Sequence, residues 1–208
     1  MGAESVDMDA KGIRASVDSL PDWVFPPPGG FTADHFLRMR DLPRQAELID
    51  GALIFAAPQT RWHSHTVSLL TAELRRQAPE DLDAIHGMTV RLDERQAPAT
   101  DVVVVTAEAM RRERPDHYFF PEDVRLVVEA VLPDSAIRDR DVKPRRYAAA
   151  GIKHFWRVEQ DGRDAVVYVH ELAPAGQTYL QTGIHYDRLE LTVPFIIDIG
   201  LGDVGRRL

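Results

Sequence analysis

The fold of this chain is decided by residues 126–158, which read L-V-V-E-A-V-L-P-D-S-A-I-R-D-R-D-V-K-P-R-R-Y-A-A-A-G-I-K-H-F-W-R-V. An apolar run here contains one acid, Glu129. It is followed by a polar turn, a basic helical segment that carries Lys143, and a second apolar run. An isolated buried carboxylate is costly and usually takes up a proton, so glutamate is rarely buried alone. Glu129 therefore needs a compensating partner, and the pattern favours a metal ion.

The composition is that of a soluble globular protein. Its 208 residues suffice for one large domain, or for one domain with an extension, and 44% of them are hydrophobic. The chain has no cysteine, which excludes disulfides, zinc-thiolate sites and cysteine nucleophiles and agrees with a reducing cytoplasm. No apolar run reaches the ~20 residues of a membrane span, and no signal peptide is visible. We expect a cytoplasmic protein that does not enter a membrane.

The formal net charge is −8, and it constrains the partners of the chain. A protein that coats nucleic acid non-specifically needs a positive footprint for the phosphates, so this class is disfavoured. An enzyme that acts on nucleic acid through a small basic patch and a metal remains compatible with the charge.

The order of the patterned segments predicts the domain organisation. Residues 1–30 are polar and then rich in proline and glycine, which predicts a mobile extension ahead of a single domain over 31–208. Asp50-Gly51 between two apolar runs predicts a hairpin, and residues 62–77 and 137–150 have helical spacing. Together with the predicted strands, these segments indicate an α/β domain with a mixed central sheet flanked by helices, an N-terminal hairpin and C-terminal strands. The predicted strands are 84–92, 101–105, 124–131, 155–158, 165–171 and 178–181, followed by an apolar run at 195–199.

Two acids occupy matching places on two predicted strands. Asp101 opens its strand and Glu129 lies toward the end of its own, so an antiparallel pairing of the two strands brings them side by side. Two ionised carboxylates about 4 Å apart repel by roughly 4 kcal/mol at an effective dielectric constant of 20. A divalent cation reverses the sign of this energy, and carboxylate oxygens are usual ligands of Mg²⁺. The pair therefore either shares a proton or holds a metal.

Lys143 follows these acids on the basic helix, one turn after Asp139 and one turn before Tyr147. Residues four apart share a helical face, so Lys143 can project from the helix toward the acid pair. The same segment is the most basic in the chain, which suits a negatively charged substrate that meets a metal. Its arginines are Arg138, Arg140, Arg145 and Arg146.

Five pieces of the sequence, taken in order and spacing, resemble the Uma-two family of candidate restriction endonucleases, a domain-of-unknown-function family of the PD-(D/E)XK nuclease superfamily. The resemblance covers roughly residues 32–200. The pieces are E-L-I-D-G-A-L at 47–53, T-D-V-V-V-V at 100–105, L-V-V-E-A-V at 126–131, D-R-D-V-K at 139–143 and Y-A-A-A-G-I-K-H-F-W at 147–156.

The resemblance implies a restriction-endonuclease-like fold and a metal-dependent phosphodiesterase. It assigns Asp101 and Glu129 to Mg²⁺ or Mn²⁺ binding and Glu47 to a further acid in the first hairpin. The superfamily lysine normally lies two residues after the glutamate, where this chain has Val131. In the Uma-two pattern Lys143, from the following helix, takes that role.

This chain departs from the family pattern at two positions. Thr100 stands where a proline usually precedes the first acid. Pro144 directly follows Lys143, and because proline is tolerated in a first helical turn, Lys143 is expected at the very start of its helix.

The leading hypothesis is therefore a metal-dependent endonuclease-like hydrolase of nucleic-acid phosphodiesters, with DNA as the expected substrate and a homodimer as the expected assembly. Its catalytic residues would be Asp101, Glu129, Lys143 and Glu47, and the four arginines would contact backbone phosphates. The alternative is a catalytically inactive nucleic-acid- or protein-binding module on the same fold. A histidine metal cluster is disfavoured, because H-x-H alone is a weak signal and solvated surface histidines are the better reading of His63, His65 and His86.

Overall fold

A computed structural model describes residues 21–43, 45–202 and 204 of the chain. The first twenty residues of the predicted extension lie outside the described residues. The strands are β1 (Ala46–Ile49), β2 (Ala52–Phe55), β3 (Leu82–His86), β4 (Thr89–Val90), β5 (Val102–Thr106), β6 (Tyr118–Phe119), β7 (Val124–Ala130), β8 (His154–Asp161), β9 (Asp164–Leu172), β10 (Tyr179–His185), β11 (Arg188–Leu191) and β12 (Ile197–Gly200). The α-helices are α1 (Ala33–Phe36), α2 (Arg61–Gln77), α3 (Ala107–Arg111) and α4 (Lys143–Ala149).

A six-stranded mixed sheet forms the centre of the molecule and confirms the predicted α/β class. Its strand order is β10-β9-β8-β7-β5-β3. Within this sheet β7 and β8 pair in parallel, across the connection that contains α4, and its other neighbouring strands are antiparallel. A parallel pair needs a long crossover, and the segment between β7 and β8 supplies it.

Both faces of the sheet are covered, which explains the unbroken valine run in β5. Val102 and Val104 face the core under α2 and the β11–β12 hairpin, and Val103 and Val105 face the second core, beside Tyr147 of α4. All four valines are inaccessible to solvent. A strand buried on both faces shows no polar alternation, so its sequence reads as a continuous apolar run.

The predicted hairpin around Asp50-Gly51 is confirmed. Asp50 has φ 51° and Gly51 has φ 77°, as a tight two-residue turn with both central residues in the left-handed region requires. Leu48 of β1 packs with Phe31 and Phe36 in a small separate core. This packing holds β1 against the body of the domain and so fixes the place of Glu47.

The structure corrects two predicted elements. The predicted strand 84–92 is broken into β3 and β4 by Gly87, which has φ 68°. The predicted helix 137–150 begins as a wide π-type turn over Arg138–Val142. In this turn Lys143 N–H donates to Arg138 O. The segment becomes α-helical only from Lys143. Pro144 has no N–H to continue that pattern, so the helix changes its winding there.

None of the helices in the described part of the chain has the length and apolarity that a bilayer crossing requires.

Candidate active site

A pocket of about 190 Å³ opens where β5 begins and β7 ends, and the four predicted site residues, Glu47, Asp101, Glu129 and Lys143, all line it. β5 and β7 are adjacent and antiparallel, with Val102 opposite Val128, as the placement of the acid pair required. Asp101 and Glu129 therefore line the same pocket, while their roles as a metal-binding pair stay predictions.

Lys143 lies at the centre of the acid cluster. Its Nζ is 3.1 Å from Glu47 Oε2, 3.3 Å from Glu129 Oε2 and 3.3 Å from Asp139 Oδ1, and it donates to Ala99 O at 3.0 Å. These side chains are almost fully buried. The three carboxylates come from β1, β7 and the π-type turn, so one ammonium ties three elements together.

The start of α4 directs Lys143 into the pocket. Lys143 has helical backbone angles despite the proline after it, because the π-type turn already leads into the helix. Asp139 stands one turn earlier on the same face, and Tyr147 one turn later donates from its hydroxyl to Glu129 Oε1 at 2.5 Å. The spacing of four residues thus places three polar side chains on the site.

Asp101 is held by two other partners. The N–H of Ala130 donates to Asp101 Oδ2 at 2.8 Å. His63 Nε2, from the first turn of α2, lies 3.1 Å from Asp101 Oδ1. The two acids of the pair are therefore oriented by separate donor sets.

Burial and like charge dominate the electrostatics of the site. Burial raises the pKa of Glu129 well above its usual value, and the charges of Asp139 and Asp101 add to this, while Lys143 and the Tyr147 hydroxyl oppose it. Burial also raises the pKa of Asp139. Burial alone would lower the pKa of Lys143, but the surrounding carboxylates outweigh it and raise that pKa well above its usual value. Lys143 is thus a permanent cation that the acid cluster requires.

When all of its carboxylates are ionised, the acid cluster around Lys143 carries more negative charge than its cations neutralise. Four carboxylates (Glu47, Asp101, Glu129 and Asp139) face the ammonium of Lys143 and the guanidinium of Arg138, whose Nε is 3.3 Å from Glu47 Oε1. When ionised, the four leave two formal negative charges beyond these two cations. Glu47 Oε2 and Asp139 Oδ1 are both buried, and each has the Lys143 ammonium as its ion-pair partner. A divalent cation would match this excess.

The carboxylates of the pocket suit an Mg²⁺ or Mn²⁺ ion that also keeps water molecules as ligands. In the described residues no three histidine, aspartate or glutamate side chains converge as a ready metal-binding group. Asp101 and Glu129 offer two carboxylates at one pocket, and Mg²⁺ in proteins is often held by one or two carboxylates with waters and substrate phosphates completing its shell. The residues present fit such an ion.

Three site residues were missed or misread from the sequence. His63 is 5% exposed, so its interpretation as a solvated surface histidine was wrong. Asp139 was noted for its helical spacing but not for the site, although the D-x-x-x-K spacing could have identified it. Tyr147 was noted for its spacing from Lys143; it is buried, and its hydroxyl belongs to the site.

The four arginines of the basic segment each have an acidic partner. Arg138 pairs with Glu47 inside the site, and the other three pair at the surface. The surface pairs are Arg140 with Glu159, Arg145 with Asp141, and Arg146 with Asp50.

Comparisons with known proteins agree with the resemblance. Residues 33–201 match the sequence model of the Uma2 family, which is described as "Putative restriction endonuclease". A comparison with curated proteins finds no match.

A solved structure resembles the fold. It is described as "a putative nuclease belonging to DUF820 from Anabaena variabilis", is 16% identical, superposes with a TM-score of 0.64, and covers 85% of this chain and 98% of its own. At this identity the likeness establishes the fold, which is the restriction-endonuclease-like architecture expected from the sequence.

Proposed function

Because this chain belongs to the Uma2 family of restriction-endonuclease-like proteins, we propose that it is a metal-dependent endonuclease that hydrolyses phosphodiester bonds of nucleic acid, with DNA as its substrate. Family and fold support a nuclease-like function. The metal and the DNA substrate are the proposed refinements.

One observation carries the proposal. The carboxylates of Asp101 and Glu129 line one pocket, directly beside the buried ammonium of Lys143. With all four carboxylates ionised, the acid cluster around Lys143 is two formal negative charges in excess. Such an excess is costly unless a cation or protons compensate it. A protein that needed only a stable core would be served better by apolar side chains there.

Asp101 and Glu129 would hold Mg²⁺ or Mn²⁺. When bound there, the ion would lower the pKa of a water ligand and offset charge on the phosphate. Lys143 would donate a hydrogen bond to the attacking water or to a phosphate oxygen, where negative charge grows in the transition state. Glu47, buried between Lys143 and Arg138, would complete the acid set and keep both cations directed at the pocket.

The basic segment would contact the DNA backbone. Exposed ion pairs are worth little, so an arginine at the surface can exchange its carboxylate partner for a phosphate. Arg145, whose side chain is 75% exposed, and Arg140, at 51%, are the best placed of the four for this exchange. Arg138 is the least available, because it lies within the acid cluster.

The test is cleavage of plasmid DNA with Mg²⁺ or Mn²⁺ by the full chain and by Glu129→Gln and Lys143→Met. Each substitution keeps the side-chain volume while removing one charge. Activity should fall about 100-fold or more in each variant. Glu73→Gln removes a carboxylate paired with Arg76 outside the pocket and serves as the matched control. Equal activity in all four proteins would reject the assigned roles.

A non-catalytic binding module is the second candidate. It is favoured by the central place of Lys143, whose ammonium already joins three of the acids. Thermal unfolding with added Mn²⁺ distinguishes the two functions, since an ion at 100 times its dissociation constant stabilises the native state by about 2.7 kcal/mol. A shift that disappears in Glu129→Gln supports the nuclease, and no shift with no cleavage supports the binding module.

The homodimer stays a prediction. The edge strand β10 contains neither proline nor an acidic, lysine or arginine residue, and it exposes Leu180 and Ile184, so its edge lacks the usual protection against pairing. A bulge between Gln181 and Gly183 limits how far such a pairing could extend. Light scattering at working concentration tests the assembly, and a monomer would contradict it.

A further inference from the structure

His63 reaches the site from the opposite side of the sheet. It lies in the first turn of α2, which packs on one face, whereas Lys143 and Tyr147 come from α4 on the other face. The start of α2 is fixed by Thr60, whose hydroxyl accepts from His63 N–H at 3.1 Å. The adjacent Trp62 donates from its indole to Asp164 O at 3.3 Å. The backbone that carries His63 is thus held at two points.

The contact between His63 and Asp101 joins His63 Nε2 to Asp101 Oδ1 at 3.1 Å. An N–H on Nε2 at this distance can donate to the carboxylate oxygen. Asp101 Oδ2 is occupied by the N–H of Ala130. One donor on each oxygen fixes the rotation of the carboxylate and leaves a further lone pair on each oxygen for another ligand.

We propose that His63 is a positioning residue that holds the Asp101 carboxylate in the orientation that binds the divalent metal. The inference rests on the proposed function and deepens it, because it adds α2 to the elements that build the site. Glu129 is oriented by Tyr147 and Lys143, and His63 with Ala130 does the same for Asp101. Partners that orient a ligand typically change metal affinity 10–100-fold when they are removed.

The experiment measures the dissociation constant of Mn²⁺ for the full chain by isothermal titration calorimetry. His63→Leu removes the donor and keeps an apolar side chain of similar bulk, and it should weaken Mn²⁺ binding about 10–100-fold. His63→Gln keeps a side-chain N–H and should restore most of the affinity. His117→Leu breaks another histidine–aspartate contact, at 3.0 Å from Asp116 and outside the pocket, and should leave the affinity unchanged.

A double-mutant cycle separates positioning from general damage to the fold. In Asp101→Asn the carboxylate is gone, so adding His63→Leu should weaken Mn²⁺ binding no further. Urea unfolding in EDTA shows whether each variant is folded at the temperature of the titration. A purely structural role of His63 would give the same loss in both backgrounds and no rescue by glutamine, and this result would overturn the inference.

The experiments distinguish a failure of the positioning role of His63 from a failure of the proposed nuclease function. If the unmodified chain binds Mn²⁺ and His63→Leu binds it equally well, the positioning role is wrong and the nuclease proposal stands. If the unmodified chain binds no Mn²⁺ and cleaves no DNA, the proposed function fails and the positioning role fails with it.

Discussion

Tyr147 shows how one hydroxyl can matter at the residue scale. Its OH donates to Glu129 Oε1, while Lys143 occupies the other oxygen. A hydrogen bond to a charged group contributes about 1.5–3 kcal/mol, compared with about 0.5–1.5 kcal/mol for a neutral pair. The bond from Tyr147 therefore belongs to the stronger class if Glu129 is ionised.

We predict that Tyr147→Phe lowers the free energy of unfolding by about 1.5–3 kcal/mol, because it leaves a buried carboxylate oxygen without its donor. Tyr179→Phe is the matched control, since the Tyr179 hydroxyl donates at 2.7 Å to the neutral carbonyl of Ile152. This control should lose only about 0.5–1.5 kcal/mol. Urea unfolding measures both, and equal losses in the two variants would contradict a charged Glu129 in the native state.

A second residue-scale prediction concerns pH. Burial lowers the pKa of His170, and nearby Arg157 lowers it further, although a hydrogen bond to the Tyr168 carbonyl opposes the shift. Below the ordinary histidine pKa of about 6.5 the unfolded chain therefore binds a proton that the folded chain resists, so His170 reduces stability as the pH falls through that value. His170→Gln should lose less stability than the unmodified chain between pH 7.5 and pH 5 in urea unfolding. An unchanged pH dependence would contradict the shift.

At the scale of elements, the β1–β2 hairpin carries Glu47 into the site, and Gly51 makes its turn possible. Gly51 has φ 77°, and a Cβ placed there would clash sterically with the Arg95 guanidinium. Arg95 cannot easily withdraw, because it donates to the Gly29 and Asp50 carbonyls. The Arg95 side chain, from the loop that precedes β5, thus packs against this turn and hydrogen-bonds to it.

We predict that Gly51→Ala destabilises the protein by more than Gly162→Ala. Gly162 has φ 62° in the β8–β9 turn, and a Cβ added there would meet open space, so alanine costs only the left-handed backbone conformation, about 1–2 kcal/mol. Gly51→Ala adds the displacement of Arg95 and should also reduce DNA cleavage, because Glu47 lies on the disturbed hairpin. Urea unfolding and the plasmid assay measure the two effects, and equal losses would argue against the role of Arg95.

The elements also show how far the sequence could predict the site. Side-chain alternation placed Asp101 beside Glu129 only together with the assumption that the two strands are adjacent and antiparallel. The sequence did not prove that pairing, and the structure shows it between β5 and β7. The π-type turn before α4 could not be predicted, since a helical pattern does not distinguish the two windings. His63 could not be assigned, because its contact joins residues 38 positions apart through the packing of α2, which no local spacing records.

At the scale of the whole molecule, the charge distribution constrains how DNA can bind. The chain has a formal net charge of −8, and its pocket carries an excess of acids, so free DNA is repelled from the site that should cut it. The arginines of the basic segment are few and already paired. Binding should therefore depend on the divalent ion more than on the protein's own cations.

We predict that duplex DNA binds the slow-cleaving variant Lys143→Met at least about tenfold more tightly with Mn²⁺ than with EDTA, because the ion offsets two negative charges of the acid cluster. With at most four arginines in contact, the slope of log K against log salt should be no steeper than about −4, and Arg145→Ala should reduce it by about one. Fluorescence anisotropy across a salt series measures both quantities, with Arg188→Ala, at a surface pair outside the pocket, as the control. Equal binding in EDTA and Mn²⁺ would show that DNA is recognised away from the acid pair.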